Sequence, residues 1–317
     1  MTDNANMEPA LAIIGGSVFY EMEGLQITRI HRVDELDTGG YGEASGDIIE
    51  GVLDGKRVLF LARHGEGHIY APHLINYRAN FAALRLLGAL WVIDCSAVGI
   101  LSDGIEPGHL AVMTQMFDWT FGQRINTYYN EVGCVGHVSP ARPVCPGLAK
   151  LVYDQAVFVL SDKLVHPGKS LIVVNGPRFS TELESRIFQS WGIDLIGMTT
   201  LPGAFLADEM GMHYIALGLG TDKDACFPRE SDDGKALEVD KVMSANVGKA
   251  KQVVTCVAGA MARGEVDYGC GCAERAASCV VTSKEQVLAR ASVKAQSERL
   301  MGSKIFRWSG GSGSCVK

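Results

Sequence analysis

Between residues 170 and 224, short apolar segments alternate with two stretches of helical periodicity. The apolar segments are rich in branched side chains, as buried strands are, and comprise residues 170–174, 193–198 and 214–219. Thr181, followed three positions later by Glu184, has the capping-box spacing that begins a helix, and Gly192 ends that helix. Pro202 is placed to begin the second helix. Strands that alternate with helices predict a parallel α/β unit.

Polar side chains follow each of these three strands. The first strand leads into residues 178–181 (RFST), the second into residues 198–200 (MTT), and the third into Asp222 and Asp224. Ligands bind at the carboxyl ends of the strands in a parallel sheet. A ring able to stack on a planar ligand, hydroxyl donors and two carboxylates are therefore expected to converge on one crevice.

The alternation of strands and helices extends through the rest of the chain. It predicts strands at residues 11–14, 58–62, 91–95 and 108–115, and helices at residues 76–87, 148–160 and 240–263. Three of these strands lead into residues typical of ligand-binding loops, namely GGS (15–17), RHG (63–65) and SAVG (96–99). No internal repeat or low-complexity linker divides the pattern. One domain over residues 10–282 is predicted, followed by a helical extension and flexible tail at residues 283–317.

Several of these residues have two interpretations. Arg63, at the end of a predicted buried strand, could clamp a phosphate through parallel hydrogen bonds or form a structural ion pair. The GGS stretch could approach a ligand closely or be an ordinary turn. His137 lies in an irregular stretch, residues 116–146, that is long enough to suggest a function but could equally be a surface excursion.

Composition and charge narrow the functional classes. The formal net charge of −7 argues against a nucleic-acid partner, which would favour a basic surface. No apolar run approaches the roughly 18 residues that span a bilayer, and residues 1–8 lack the apolar core of a signal peptide. A membrane partner is therefore not expected. Nine cysteines scattered over 317 residues suggest reduced thiols and a cytoplasmic location.

Two of the cysteines, Cys270 and Cys272, are separated by a single residue. A lone Cys-x-Cys lacks the two further ligands that a zinc site needs, so no metal ligand is predicted. The pair is expected to be solvent-accessible and able to oxidise, with two reduced thiols as an equally open alternative.

Six short motifs occur in order along the chain, namely GGS (15–17), RHG (63–65), PH with NYRAN (72–80), GPRFS (176–180), GMTT (197–200) and TDKD (221–224). Together they resemble the trimeric purine nucleoside phosphorylases, specifically the 5′-methylthioadenosine phosphorylase family. The resemblance covers residues 11–261, about four-fifths of the chain. It implies a single α/β domain with a mixed, partly barrel-like sheet flanked by helices, and a homotrimer. The chain departs from the family at Val18, Asn175 and Lys223, where a glycine, a glutamate and an aromatic residue are usual.

The resemblance also implies roles for individual residues. The phosphate site comprises Ser17, Arg63, His64, Ser96, Ala97 and Thr199. The residues that bind the nucleoside are Phe179 and Met198, with His68, Val239 and Val242 beside the 5′ substituent and His137 reaching a neighbouring subunit's site. The catalytic residues that face the purine are Ser180, Asp222 and Asp224, with Asp222 as the general acid at N7.

The implied reaction is phosphorolysis of 5′-methylthioadenosine to adenine and 5-methylthioribose 1-phosphate, in purine and methionine salvage. Inorganic phosphate is the co-substrate, and no metal or organic cofactor is expected. Phosphorolysis of 6-oxopurine nucleosides or of 5′-methylthioinosine is the alternative within this class. A nucleoside-binding protein without turnover fits less well, because both Arg63 and Asp222 are present. A dinucleotide oxidoreductase also fits less well, because the GGS turn does not continue into a Gly-x-Gly-x-x-Gly run.

Overall fold

A nine-stranded mixed sheet runs through the described part of the chain and forms the frame of the site. The computed structural model describes residues 8–16, 22–129, 134–228, 235–267 and 269–282. Within residues 235–267, side chains are described from residue 241 onward. The strands are β1 (Ala10–Gly15), β2 (Gln26–His31), β3 (Ile48–Leu53), β4 (Lys56–Ala62), β5 (Ala89–Ile100), β6 (Leu110–Trp119), β7 (Val165–Val174), β8 (Leu195–Gly197) and β9 (His213–Lys223). The helices are α1 (Tyr77–Leu86), α2 (Pro146–Leu160), α3 (Glu182–Ser190), α4 (Gly203–Glu209), α5 (Lys235–Ala262) and α6 (Cys272–Ser278). The predicted extension at residues 283–317 lies outside the described residues.

Part of the sheet closes into a barrel. Its strand order is β2-β3-β4-β1-β5-β8-β7-β6-β9, and β9 pairs with β5 as well as with β6. Strands β5, β8, β7, β6 and β9 therefore form a closed ring, from which β1, β4, β3 and β2 extend as an open sheet. This arrangement confirms the expected mixed, partly barrel-like sheet.

Strand direction differs from the parallel unit predicted between residues 170 and 224. Strands β1 and β9 run parallel to β5, whereas β8 runs antiparallel to it. Strand β7 is parallel to β8, but β9 is antiparallel to β6 and pairs with β5 instead of β8. The prediction of one parallel unit is therefore wrong, because an apolar run shows that a strand is buried without showing which neighbour it pairs with or in which direction.

Strand β5 is longer than the sequence predicted and is the axis of the site. It was expected to end at Cys95 but continues to Ile100, with Ala97 beside Leu219 and Val98 beside Gly220 in β9. The predicted loop after Cys95 is thus part of the barrel wall. Glycines in β9 allow the close packing, since a Cβ on Gly220 would lie 3.2 Å from Ile100 Cδ1.

Local signals in the sequence are confirmed at several element ends. Thr181 caps α3 through a complete capping box with Glu184, as predicted. Asn76, predicted as the first residue of a helix, is instead the residue whose side chain caps α1. Asp54 and Gly55, both with positive φ, form the tight turn between β3 and β4. These features depend on residues close in sequence, so they are visible without the tertiary structure.

Helices cover the outside of the barrel. Helices α2 and α5 pack against each other and against β9, and α1 packs against α4. Val253 and Val257 on α5 are fully buried, as are Ile215 and Leu217 on β9. Among the described residues no helix combines the length and the hydropathy needed to cross a membrane.

Candidate active site

Arg63 lies directly after β4 and is almost entirely buried. Its Nη2 group donates to Asp94 Oδ1 at 2.6 Å, to the Ile14 carbonyl at 3.1 Å and to the Cys95 carbonyl. Its Nε has no partner among the described residues. Arg63 therefore forms the structural ion pair that was one of its two interpretations, and the pair orients the guanidinium.

Asp94 is the centre of a buried polar network. Its Oδ1 also accepts a hydrogen bond from Ser96 Oγ at 3.2 Å, and its Oδ2 accepts one from the Tyr214 hydroxyl at 2.8 Å. Burial raises the pKa of Tyr214 well above its usual value, so this hydroxyl stays a donor. Ser96 Oγ lies 3.2 Å from Thr199 Oγ1. The network thus brings together Arg63, Ser96 and Thr199, three of the residues predicted to bind phosphate.

His64 follows Arg63 and is a neutral imidazole at neutral pH. Burial, with the charge of Arg63 as the next cause, lowers the pKa of His64 to about 4. Its Nδ1 lies 2.7 Å from the Tyr70 carbonyl, which can only accept a hydrogen bond, so Nδ1 carries the proton. This assignment makes Nε2 an acceptor. The ring of His64 stacks on that of the exposed His68, with centroids 4.1 Å apart.

Asp222 and Asp224 lie at the end of β9, beside the end of β5. Asp222 is opposite Gly99, and the backbone N–H of Asp224 donates to the Ile100 carbonyl at 2.8 Å. The Thr221 hydroxyl lies 2.8 Å from Asp222 Oδ1 and donates to it. A Cβ on Gly99 would come within 2.9 Å of a β8 side chain. Glycine at this position therefore lets β8 and β9 close around β5.

Phe179 and Ser180 lie on the loop between β7 and α3, and Phe179 is half exposed. Gly176, which has φ +67°, begins this loop, and a Cβ there would lie 2.6 Å from Met198 Sδ. The loop after β7 therefore rests directly on the residue that follows β8. Helix α3 is also tied to the loop after Asp224, because Ser185 Oγ accepts from the Cys226 N–H at 2.8 Å.

The other predicted site residues differ in how exposed they are. His68 and Ala97 are exposed, and Val242 is half-buried on α5. His137 is exposed, and its backbone N–H donates to the Cys279 carbonyl at 2.8 Å, beside the C-terminal part of the described chain. Ser17 and the side chain of Val239 lie outside the described residues.

Three functional candidates were missed by the sequence analysis. Asp94 and Tyr214 hold the side chains that were predicted to bind phosphate, and Arg124 donates to the carbonyls of Asn175 at 2.8 Å and Leu201 at 2.7 Å. Arg124 thereby joins the loops after β7 and β8. A carboxylate inside the apolar run at residues 91–95 was a usable signal for Asp94. Arg124 and Tyr214 have no such local signal, since their partners are far away in sequence.

Comparison with known proteins gives a consistent result. The family model described as the phosphorylase superfamily matches residues 10–258. An S-methyl-5′-thioadenosine phosphorylase from Geobacter sulfurreducens is 36% identical over 299 residues, which cover 94% of this chain and 100% of the relative.

Solved structures agree with the match in sequence. A methylthioadenosine phosphorylase from an antarctic soil metagenomic library has a TM-score of 0.82 at 33% identity, covering 92% of this chain and 99% of that one. A variant of the adenosine/methylthioadenosine phosphorylase from Schistosoma mansoni, in complex with methylthioadenosine, has a TM-score of 0.72 at 25% identity, covering 93% and 99%. The chain therefore belongs to the phosphorylase superfamily, among the S-methyl-5′-thioadenosine phosphorylases.

Proposed function

We propose that this enzyme is a pentosyltransferase that cleaves the N-glycosidic bond of 5′-methylthioadenosine with inorganic phosphate, giving adenine and 5-methylthioribose 1-phosphate. One observation carries the proposal: an oriented arginine and a carboxylate pair lie beside the same strand, β5, at different positions along it. Ser96, in the network of Arg63, and Gly99, opposite Asp222, are three residues apart on β5. At about 3.3 Å per residue this is about 10 Å, the length of a ribose with its base and phosphate.

At the phosphate end, Arg63 supplies positive charge at a fixed position, and the hydroxyl groups of Ser96 and Thr199 lie beside it. Asp94 neutralises part of the positive charge of Arg63 and prevents the guanidinium from rotating. His64 Nε2, as an acceptor, suits a protonated phosphate oxygen. We assign Ala97 and Ser17 to the same site. Binding phosphate in one orientation below the anomeric carbon lowers the barrier by proximity and electrostatics.

At the base end, cleavage leaves negative charge on the departing purine. We assign Asp222 as the general acid that hydrogen-bonds N7, because the Thr221 hydroxyl fixes its orientation. Cleavage of such a bond passes through an oxocarbenium-like ribosyl group, which the incoming phosphate then captures. Phe179 and Met198 line the nucleoside in this assignment, and His68, Val239 and Val242 border the methylthio group. No step requires a metal or an organic cofactor.

The choice of base follows from hydrogen-bond polarity. A 6-aminopurine offers N–H donors at position 6, and an ionised carboxylate can only accept. Asp224, two residues after Asp222 on the same strand end, is buried and supplies such an acceptor. Ser180 provides a hydroxyl where the oxopurine-selective relatives have a glutamate. A 6-oxopurine would place its carbonyl oxygen against Asp224 and is rejected.

The test is phosphate-dependent release of base from methylthioadenosine, adenosine and inosine. We expect methylthioadenosine and adenosine to be substrates and inosine to be about 1,000-fold poorer or worse, because a buried polar group loses its partner. Asp224→Asn adds a donor and should narrow this gap, while Asp162→Asn at an exposed position should not change it. Equal turnover of inosine and methylthioadenosine by the unmodified protein would instead support the 6-oxopurine alternative.

We further propose that the enzyme works as a homotrimer in the cytoplasm, in purine and methionine salvage. Support for self-association comes from exposed aromatic side chains at the end of β6 and of α3. Phe117, Phe121 and Trp191 are 43%, 70% and 49% exposed and surround Trp119. Contiguous exposed apolar area of this kind marks interaction sites. In this assembly His137 reaches the nucleoside site of a neighbouring copy.

A further inference from the structure

Four side chains of types that bind metal ions come from three distant parts of the sequence and lie close together in the fold. They are Cys145 at the start of α2, His213 at the start of β9, and Cys270 and Cys272 at the start of α6. Their donor atoms all lie within 4.8 Å of one another. The Cys-x-Cys pair therefore has, in the folded chain, the two further ligands that the sequence did not reveal.

The spacing of these atoms suits a tetrahedral metal ion. His213 Nδ1 lies 3.4 Å from Cys145 Sγ and 3.0 Å from Cys270 Sγ. Zinc–sulfur and zinc–nitrogen bond lengths give tetrahedral edges of about 3.8 Å between two sulfurs and about 3.6 Å between sulfur and nitrogen. Both observed sulfur–nitrogen distances lie within about 0.6 Å of the tetrahedral edge.

Hydrogen-bond donors approach two of the three sulfur atoms. The backbone N–H of Leu148 points to Cys145 Sγ at 3.5 Å, and the Arg275 guanidinium lies 3.4 Å from Cys272 Sγ. Arg275 is held in turn by Asp208 at 3.0 Å. Three thiolates and one divalent ion carry a net charge of −1, and Arg275 places a positive charge beside Cys272. Donors of this kind around the ligands orient them and tune the metal.

We propose that Cys145, His213, Cys270 and Cys272 bind a structural zinc ion. Four protein ligands with no open position are typical of structural zinc sites, and thiolate with imidazole donors select zinc over magnesium or calcium. Binding displaces the three thiol protons to solvent and needs no oxidant. The prediction that Cys270 and Cys272 are both solvent-accessible is wrong, because Cys272 is only 1% exposed.

The metal fastens the C-terminal part of the described chain to the barrel. Helix α6 packs closely on the turn after α4, where a Cβ on Gly211 would lie 3.4 Å from Ala276. Beyond α6, Val280 pairs with Gly136, next to the hydrogen bond between His137 and the Cys279 carbonyl. Zinc thus supports the segment against which the His137 loop lies, at a position separate from the proposed catalytic residues.

A disulfide is the main rival, and the geometry argues against it. Any disulfide among three cysteines leaves one thiol over, and it leaves His213 Nδ1 directed at sulfur with no role. A zinc ion uses all four groups at once. The experiment must therefore distinguish bound metal from an oxidised pair and from four unliganded side chains.

The first measurement is metal content of the full-length protein, purified without a metal-affinity step and exchanged into buffer containing a chelator. We expect about one zinc ion per chain. Cys270→Ser and His213→Ala should lose it, whereas Cys256→Ser, the same change at a half-buried cysteine outside the cluster, should retain it. Arg275→Gln should weaken zinc affinity by about 10–100-fold.

A second measurement does not depend on folding of the variants. Cobalt exchanged into the unmodified protein should give the charge-transfer absorption of thiolate ligands in a tetrahedral field. Removal of zinc should increase hydrogen exchange at residues 269–282 while β5 stays protected. The proposal is overturned if the unmodified protein holds no zinc. In that case the mass of the protein shows whether the cysteines are reduced or, at two hydrogens less, form a disulfide. The proposal is also overturned if Cys270→Ser keeps its zinc.

Discussion

At the scale of single residues, the proposed phosphate end of the site depends on Asp94, whose carboxylate is shared by several donors. Asp94 accepts hydrogen bonds from Arg63, Ser96 and Tyr214, all of them buried. A buried charge pair is costly to break, since removal of one partner leaves the other uncompensated. Arg63 is therefore held in one orientation before any ligand arrives, and this preorganisation is what an anion site requires.

Arg63→Ala removes a charge-assisted donor and leaves Asp94 without its cation. Such a donor contributes about 1.5–3 kcal/mol, so the phosphate concentration at half-saturation should rise by about 10–100-fold. Steady-state rates across a range of phosphate concentrations measure this change. Arg186→Ala removes an exposed arginine paired with Glu182 on α3 and should leave phosphate saturation unchanged. Unaltered phosphate saturation in Arg63→Ala would remove Arg63 from the site.

At the scale of elements, the N-terminus of α3 positions the loop that carries Phe179 and Ser180. Thr181 and Glu184 complete its capping box, and Arg178 forms two hydrogen bonds of 2.7 Å with Glu184. Those bonds from Arg178, together with the Thr181 backbone N–H, lower the pKa of Glu184 to about 2. The loop is thus anchored by local contacts directly after Phe179 and Ser180, the residues proposed to lie beside the nucleoside.

Thr181→Ala removes the cap and should lower the free energy of unfolding by about 1 kcal/mol. Because Phe179 and Ser180 precede the cap directly, KM for methylthioadenosine should rise while half-saturation by phosphate stays constant. Denaturant unfolding and the two saturation curves measure these effects. Thr28→Ala, at an exposed position on β2, is the matched control and should change neither KM. Equal changes in both KM values would mean that α3 supports the whole barrel and not the base loop.

At the scale of the whole molecule, the exposed aromatic cluster of Phe117, Trp119, Phe121 and Trp191 lies at the end of the barrel strand β6. Burying rings of this size between copies stabilises an assembly through the hydrophobic effect. His137 is also exposed, in a segment held by pairing with residues 279–282. A residue so placed is accessible to a neighbouring copy.

Phe121→Glu places a charge in this cluster and should reduce the sedimenting mass from that of an oligomer to that of single chains. Ile27→Glu, at an exposed position on the distant edge strand β2, should leave the assembly intact.

His137→Ala should keep the assembly and raise KM for the nucleoside. Mixed oligomers of His137→Ala and Arg63→Ala chains should recover activity, because some sites then combine an intact arginine with an intact histidine. Fully active single chains would contradict a shared site.

The sequence by itself determined the local features of this protein. The positions of α1, α2, α3, β1, β4 and β9 and the Thr181 capping box depend on periodicity and on neighbours within a few residues, whereas β2, β3 and α6 were not predicted. The ordered motifs identified the phosphorylase family, since each motif lies within a short stretch of chain. They also pointed to Arg63, Ser96 and Thr199, which the structure brings together.

Only the tertiary structure decided how these parts are joined. Strand direction, barrel closure and the extension of β5 to Ile100 depend on pairing between segments distant in sequence. The same is true of Asp94 with Tyr214, 120 residues apart, and of Cys145 and His213 beside Cys270 and Cys272. A side chain's hydrogen-bonding or metal-binding role is set by which groups surround it. Those groups come from long-range packing, which no local pattern of apolar and polar residues encodes.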